Sequence, residues 1–505
     1  MIVVLLALPF AGAMLAPLVR GDRAARWFGV AVTAMTFAVS LTLLSGIGGP
    51  VRGTVDARHA IDVPWIPALG VRFHVGVDGV SLPLVLLTTL LCLLSAIYTL
   101  TALPAPGKAP LLTCVVLATE VGMLGTFVAL DLVLFFVFFE VVLLPMYVLI
   151  AVWGGPGGRA AALKFVLYTL LGSVLVLVGI GTVYAATGSV DVVALSGRGG
   201  AGIAHGTQVA AFLALFAGFA VKAPLYPLHT WLPDAHTEAP TVGSVLLAGV
   251  LLKMGTYGLV RVAVPILPDG ARAIAPAMAV LAVAGIVVGS LNCLVQRDVK
   301  RLIAYSSVGH MGFVLLGIAT LTPTGINAAL LANIAHGIIT GLLFFAVGAV
   351  KDRYHTADLP TLGSGLMARL PVLGGLLLVG SVASLGLPGL AGFWGEAFVL
   401  LSAFQPASGL PGSLFTALLV VAGVGAALTA AYFLRLLRML VTGPDVSAAA
   451  AETSGGVGVV ADANRVELLA WLPLVLLAVA IGLYPKLVLG LTEAPVRALM
   501  GVFGS

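Results

Sequence analysis

Charge is what this 505-residue chain has least of: Asp, Glu, Lys and Arg together make up 9% of it. Soluble domains carry roughly 25%. With 60% hydrophobic residues and a mean hydropathy of +1.16, that scarcity excludes a soluble globular enzyme and indicates an integral membrane protein. Cysteine is nearly absent too. Cys92, Cys114 and Cys293 lie in or at the edge of apolar stretches with no paired spacing, which argues against a disulfide framework, a metal site or an iron–sulfur ligand set. There is no Gly-rich phosphate loop, dinucleotide fingerprint or haem motif, so the sequence offers no visible means of redox or ATP chemistry and no cofactor or metal site of its own. Nor is there an arginine-rich run, so the net charge of +5 does not indicate nucleic acid.

Long apolar runs are what is there. Hydropathy gives about fourteen spans, near 2–18, 28–45, 80–102, 111–129, 132–152, 162–186, 208–228, 240–263, 273–293, 302–320, 327–349, 372–402, 414–438 and 467–491. The expected fold is an all-α polytopic membrane protein. The N-terminus lacks the basic lead-in of a secretory signal, so the first run reads as a retained span. The polar stretches Gly48–Gly79 and Pro444–Asn464 read as loops, and an Ala/Gly/Ser-rich tract at 447–461 reads as a flexible linker.

Two spans are interrupted, span seven at Pro224 and Pro227 and span twelve at Pro388 and Gly389. Each break falls on the fourth helix if spans four to eight and nine to thirteen form two five-helix repeats. Five is odd, so the second repeat is inverted, and paired broken helices point to a transporter's ion path. The organisation expected is residues 1–110 as three N-terminal spans with an exterior loop, 111–264 and 265–440 as the repeats, and 441–505 as linker and last span. Lys and Arg at loops and span ends number fifteen on odd-numbered loops and eight on even loops and the C-terminus. The positive-inside rule therefore puts odd loops in the cytoplasm and both termini outside.

Ionisable residues inside the spans carry the chemistry. Lys222 closes an apolar run from Val209 and sits against the first break. An ammonium at mid-bilayer costs about 2.5–3.5 kcal/mol on insertion scales, and it persists mainly where a partner, cavity or function holds it. Glu140, in the middle of span five, is its obvious counter-charge. A static ion pair is the bland alternative, but a broken helix adds nothing to such a pair. Lys253 is far from both ends of span eight, too far for easy snorkelling, and a buried lysine can exchange protons near neutrality. His310 and His336, inside consecutive spans, suit a relay because imidazole donates and accepts on opposite edges; each could equally be a satisfied core histidine. Glu396 follows the second break and is a candidate terminal proton site, against a buried helix-end hydrogen bond. Glu120, within span four, is divided between relay and interhelical hydrogen bond. Asp131, Asp234, His229, His236 and Glu238 lie nearer span ends, where caps and solvated loops are the default, although His229 adjoins the first break.

These motifs resemble the antiporter-like subunits of the proton-pumping NADH:quinone oxidoreductase, respiratory complex I. The likeness extends over nearly the whole chain. It is carried by Asp131 to Glu140 with Leu144 to Tyr147, by Lys222 to Pro240, by Asp298 to His310, and by Leu385 to Gly389 leading to Glu396. Within that family the similarity is to the subunit M (chain 4) type, because other members typically carry lysine where Glu396 stands. The glycine-rich Gly188–Gly206 segment departs from the pattern. The resemblance implies Glu140 and Lys222 as an input pair, Lys253, His310 and His336 as a central relay, and Glu396 as the exit-side site, with Glu120, His229 and Asp131 as possible accessories. It also implies homologous membrane subunits as partners, together with peripheral subunits that hold NADH, FMN, iron–sulfur clusters and quinone. The location implied is a bacterial-type cytoplasmic (inner) membrane. The rival readings are a gradient-driven sodium/proton antiporter subunit, a subunit of a complex-I-like membrane hydrogenase, and an inert scaffold.

Overall fold

A computed structural model describes residues 1–47, 51, 53–442 and 461–503. Nearly every apolar run is helical. Ten described helices are long and apolar enough to cross a membrane, and four shorter apolar helices (Ile2–Leu18, Leu82–Tyr98, Pro371–Ser384 and Ala391–Phe404) accompany them. The last two are the halves of span twelve. Span seven is likewise split, into His205–Lys222 and Trp231–Glu238. With these two counted as single crossings, the fourteen spans expected from hydropathy are all present, and the fold is all-α and polytopic.

The spans differ in how deeply they are packed, and that difference positions the site. The apolar windows of Thr241–Ile266, Pro323–Tyr354 and Val299–Ala319 are 100%, 94% and 89% buried, whereas that of Gly412–Val441 is only 22% buried. Helices eight, ten and eleven therefore form a protein-lined centre, and the outer helices show apolar faces, as spans in lipid must. Close approach to span eight depends on small residues: a Cβ on Gly255 would lie 2.5 Å from the Phe219 carbonyl oxygen of span seven.

The same clasp recurs at the starts of spans five and ten. Asp131 caps the start of span five through the Val133 and Leu134 amides, and Asp298 caps span ten through the Arg301 amide. Asp131 pairs in an antiparallel bridge with Asp191, and Asp298 with Asp358; both partners cap short helices that follow the next span. A hydroxyl two residues earlier, Ser189 or Thr356, accepts from the amide of each of these later aspartates.

Three features differ from the sequence reading. The 48–79 stretch is not simply a loop: within its described part, β1 (Arg58–Ile66) and β2 (Val71–Val77) pair as an antiparallel hairpin. Apolar residues alternate at Val71, Phe73, Val75 and Val77, a period-two signal that the surrounding polarity obscured. The last span ends at Leu483, not 491, because Tyr484-Pro485 stops it; Lys486–Met500 is a separate helix. The tract read as a flexible linker lies, at 447–460, outside the described residues.

Candidate functional site

The two breaks set charges in opposite ways. Span seven's first half ends on Lys222 itself, so its ammonium sits where the helix dipole is negative. Lys222 is 2% exposed; its Nζ donates to the Phe139 carbonyl at 3.3 Å and lies 4.5 Å from the Phe139 ring centre. Glu140, the next residue, is half-buried and accepts a short hydrogen bond from the Ser173 hydroxyl. The pair expected from the sequence is thus near but not in direct contact: each charge has a separate partner, while the Glu140 charge still acts on Lys222. This is not the static ion pair weighed above.

In the second break, Gly386 and Gly389 take φ of +79° and +95°, a region glycine enters without strain. Gly386 also makes room for the acid, since a Cβ there would stand 3.2 Å from Glu396 Oε2. Glu396 is carried by the half-helix after the break, Ala391–Phe404. Its Oε1 is 3.0 Å from His310 Nδ1, and His310 Nε2 is 2.9 Å from the Ser384 hydroxyl.

From His310 the groups continue inward. The His310 and His336 rings are 5.5 Å apart, and His336 Nδ1 lies 2.7 Å from Lys253 Nζ. Lys253 is fully buried and donates a short hydrogen bond to the Ala248 carbonyl. That carbonyl belongs to a π-helical turn, Leu247–Leu251, and a second one spans Leu259–Ala263. A π-bulge displaces the regular ladder and leaves carbonyls free, so span eight supplies its own lysine with an acceptor. A cavity with about 20 Å³ of space for water centres is lined by His310, His336, Thr340, Ser384 and Glu396. That is room for about one water among several polar partners. Lys253, His336, His310 and Glu396 thus form one line of titratable groups. Among the described residues no side-chain hydrogen bond joins this line to Lys222; the Gly255 contact brings their helices together.

The accessory candidates separate. Asp131 is a helix cap and also accepts from the Arg72 amide, so its bonds are structural. His229 is buried beside Tyr226 and Tyr305, with Nδ1 unpartnered. Glu120 is fully buried with neither oxygen hydrogen-bonded, so the interhelical bond offered as its bland alternative is not made. Asp234 pairs with Lys164 at 2.6 Å and Arg301 at 3.3 Å, and Glu238 accepts from the Gly157 amide.

Sequence reasoning missed several groups. His236 is no solvated span end: it is fully buried, with its ring 4.5 Å from that of Phe344 and both nitrogens unpartnered. Lys300 and Arg261, counted as loop-side cations, are buried; Lys300 donates to the Ala239 carbonyl and Arg261 pairs with Asp78 at 2.5 Å. Ser173 and Ser384 are ordinary helix hydroxyls, and only their neighbours across the helix interface make them notable. Among the described residues, no group of three His, Cys, Asp or Glu could hold a metal ion.

A many-spanned helical bundle with two broken helices and a buried row of titratable side chains defines a class: ion-translocating membrane subunits. Residues 129–425 match the model of the family described as NADH:quinone oxidoreductase/Mrp antiporter, transmembrane, and the chain belongs to that family. It is 40% identical to NADH-quinone oxidoreductase subunit M of Rhodobacter capsulatus over 97% of this chain and 94% of that one. It is also 40% identical to NAD(P)H-quinone oxidoreductase chain 4 1 of Synechococcus sp. (strain JA-3-3Ab), over 96% and 89%. A chain in respiratory complex I from Thermus thermophilus superposes with a TM-score of 0.87 at 28% identity, covering all of both. A chain of the Mrp complex from Dietzia sp. DQ12-45-1b shares the fold, with a TM-score of 0.85 at 24% identity over 100% of this chain and 97% of that one. Membership carries the family's general role, that of an antiporter-like subunit that moves protons across a membrane.

Proposed function

We propose that this chain is a proton-translocating membrane subunit of a NADH:quinone oxidoreductase, in which quinone reduction elsewhere in the complex drives protons through the buried groups described above. The observation that carries this reading is the line Lys253–His336–His310–Glu396, with a contact distance of 2.7 Å at one end and 3.0 Å at the other. Glu140 and Lys222 act as input: a charge change in a neighbouring homologous subunit disturbs the half-buried Glu140, which alters how firmly Lys222 holds its proton. Lys253 and the two histidines pass the proton on, and Glu396 releases it. Glu120, His229 and Asp131 stand outside this sequence of steps.

The magnitudes are compatible. Moving one charge against 100 mV costs about 2.3 kcal/mol. A hydrogen bond to a charged group is worth about 1.5–3 kcal/mol, so making and breaking one such contact at Lys222 covers most of that cost. Glu396 favours this reading over a sodium/proton antiporter subunit, in whose relatives a lysine is typical there. A membrane hydrogenase subunit would use the same groups with a different electron acceptor.

The remaining assignments belong to the same proposal. Residues 111–264 and 265–440 are the two inverted repeats, 1–110 and 441–505 flank them, and odd loops face the cytoplasm of a bacterial-type inner membrane with both termini outside. Homologous antiporter-like subunits lie alongside, and NADH, FMN, iron–sulfur clusters and quinone are held by other subunits. The test is Lys222→Ala in assembled membranes, with electron transfer and proton uptake measured separately. Proton uptake should fall, alone or together with electron transfer, while assembly persists. Wild-type rates of both electron transfer and proton uptake in a fully assembled complex would refute the proposal.

A further inference from the structure

Glu120 is the one carboxyl in the described spans that the proposed path leaves unused and the fold leaves without a partner. It is fully buried on span four (Ala109–Val128), which packs against spans one to three, and neither oxygen has a hydrogen-bond partner. Among the described residues no cation pairs with it, and its charge acts on Cys92 of span three. A lone carboxylate in such packing is strongly disfavoured, so the group persists as the neutral acid or takes up water.

Its surroundings offer a way in. A cavity with about 10 Å³ of space for water centres lies between spans two, three and four, lined in part by Arg26, Thr33, Ser95, Thr99 and Thr113. Residues three, four and seven apart share a helix face. Thr113, Val116 and Leu117 line the cavity, and Glu120 is the next position on that stripe. On span three, Thr99 and Ser95 line it, and Cys92 is the next position there. The Ser95 hydroxyl is itself buried and unpartnered within the protein, as a group that binds trapped water is. At the far end Arg26 caps span three, donating to the carbonyls of Thr99 and Leu100 near the end of the helix bundle.

We propose that Glu120 is a separate proton-binding site: a carboxylic acid that holds a proton where span four packs against spans two and three and exchanges it, by way of water in the Ser95–Thr113 cavity, with the face that carries Arg26. It is not a member of the lysine–histidine line and does not depend on that line being a pump.

Infrared spectroscopy of the intact complex in membranes tests this, because it reads protonation and not turnover. Near neutral pH, wild type minus Glu120→Gln should show the loss of one protonated-carboxyl C=O band, and that band should shift in D2O. Loss of a carboxylate band instead, or of no band, overturns the proposal. Glu120→Asp keeps a carboxyl and should displace the band; a band that does not move belongs to another residue and counts against it. Ser95→Ala with Thr113→Val leaves Glu120 in place, and deuterium should then reach the band several-fold more slowly. An unchanged exchange rate would refute the route and, with it, the site as proposed.

Discussion

Replacing Lys253 by Met removes the ammonium that joins the Ala248 carbonyl to His336 and keeps a flexible side chain of similar length. Lys253 is fully buried, and when protonated its ammonium is the donor in both of its contacts. Each is worth about 1.5–3 kcal/mol when made, and a buried partner left unpaired costs about 1–3 kcal/mol. Against that, the substitution removes a charge that burial penalises, and replacing buried charge by apolar packing is often neutral or stabilising. The fold should therefore tolerate the change. Proton transfer should not: losing one charge-assisted contact from the path raises its barrier by about 1.5–3 kcal/mol, which is roughly 10- to 150-fold in rate. The assay is NADH-driven quinone reduction and proton uptake, followed together in inside-out vesicles, with complex content checked on native gels. Assembled Lys253→Met complex that takes up protons at the wild-type rate would refute the relay.

Three further outcomes are expected. Glu396→Gln leaves His310 without its carboxylate 3.0 Å away, so proton uptake per electron should fall with little change in the amount of complex; an unaffected ratio would remove Glu396 from the path. Gly386→Ala forces a Cβ into a φ of +79° and to 3.2 Å from the Glu396 carboxylate; it should cost about 1–2 kcal/mol of stability and lower pumping as well, read by thermal inactivation and vesicle assays. Asp298→Ala and Asp131→Ala each remove a helix cap and should cost about 1 kcal/mol. Both should lower thermal stability while leaving the proton-to-electron ratio intact.

Much of the fold was legible because each span must satisfy its own backbone in lipid, so hydropathy and the two proline–glycine breaks nearly suffice to place the helices. The hairpin was not legible: β1 and β2 pair within a polar stretch whose alternation is short. The end of span fourteen was misplaced because Lys486–Met500 begins with an apolar run that hydropathy alone attaches to the span. Within the site, Lys253, His310, His336 and Glu396 were visible as charges where lipid forbids them. What joins them was not. The π-turn that frees the Ala248 carbonyl, the Ser173 hydroxyl that holds Glu140, and the Ser384 hydroxyl beside His310 are properties of packing, and any apolar helix contains serines and alanines. His236 was set aside because it lies near a span end, where a solvated loop is the default, yet span eleven covers it with Phe344.

The most direct measurement is a map of the assembled complex at a resolution that shows ordered water between Lys222 and Lys253, where the described side chains make no link. A proton path through this chain requires waters there, hydrogen-bonded in sequence from one ammonium to the other. Dry packing of Phe219 against Gly255 and Gly258, with no water between the two lysines in any state captured during turnover, would contradict it.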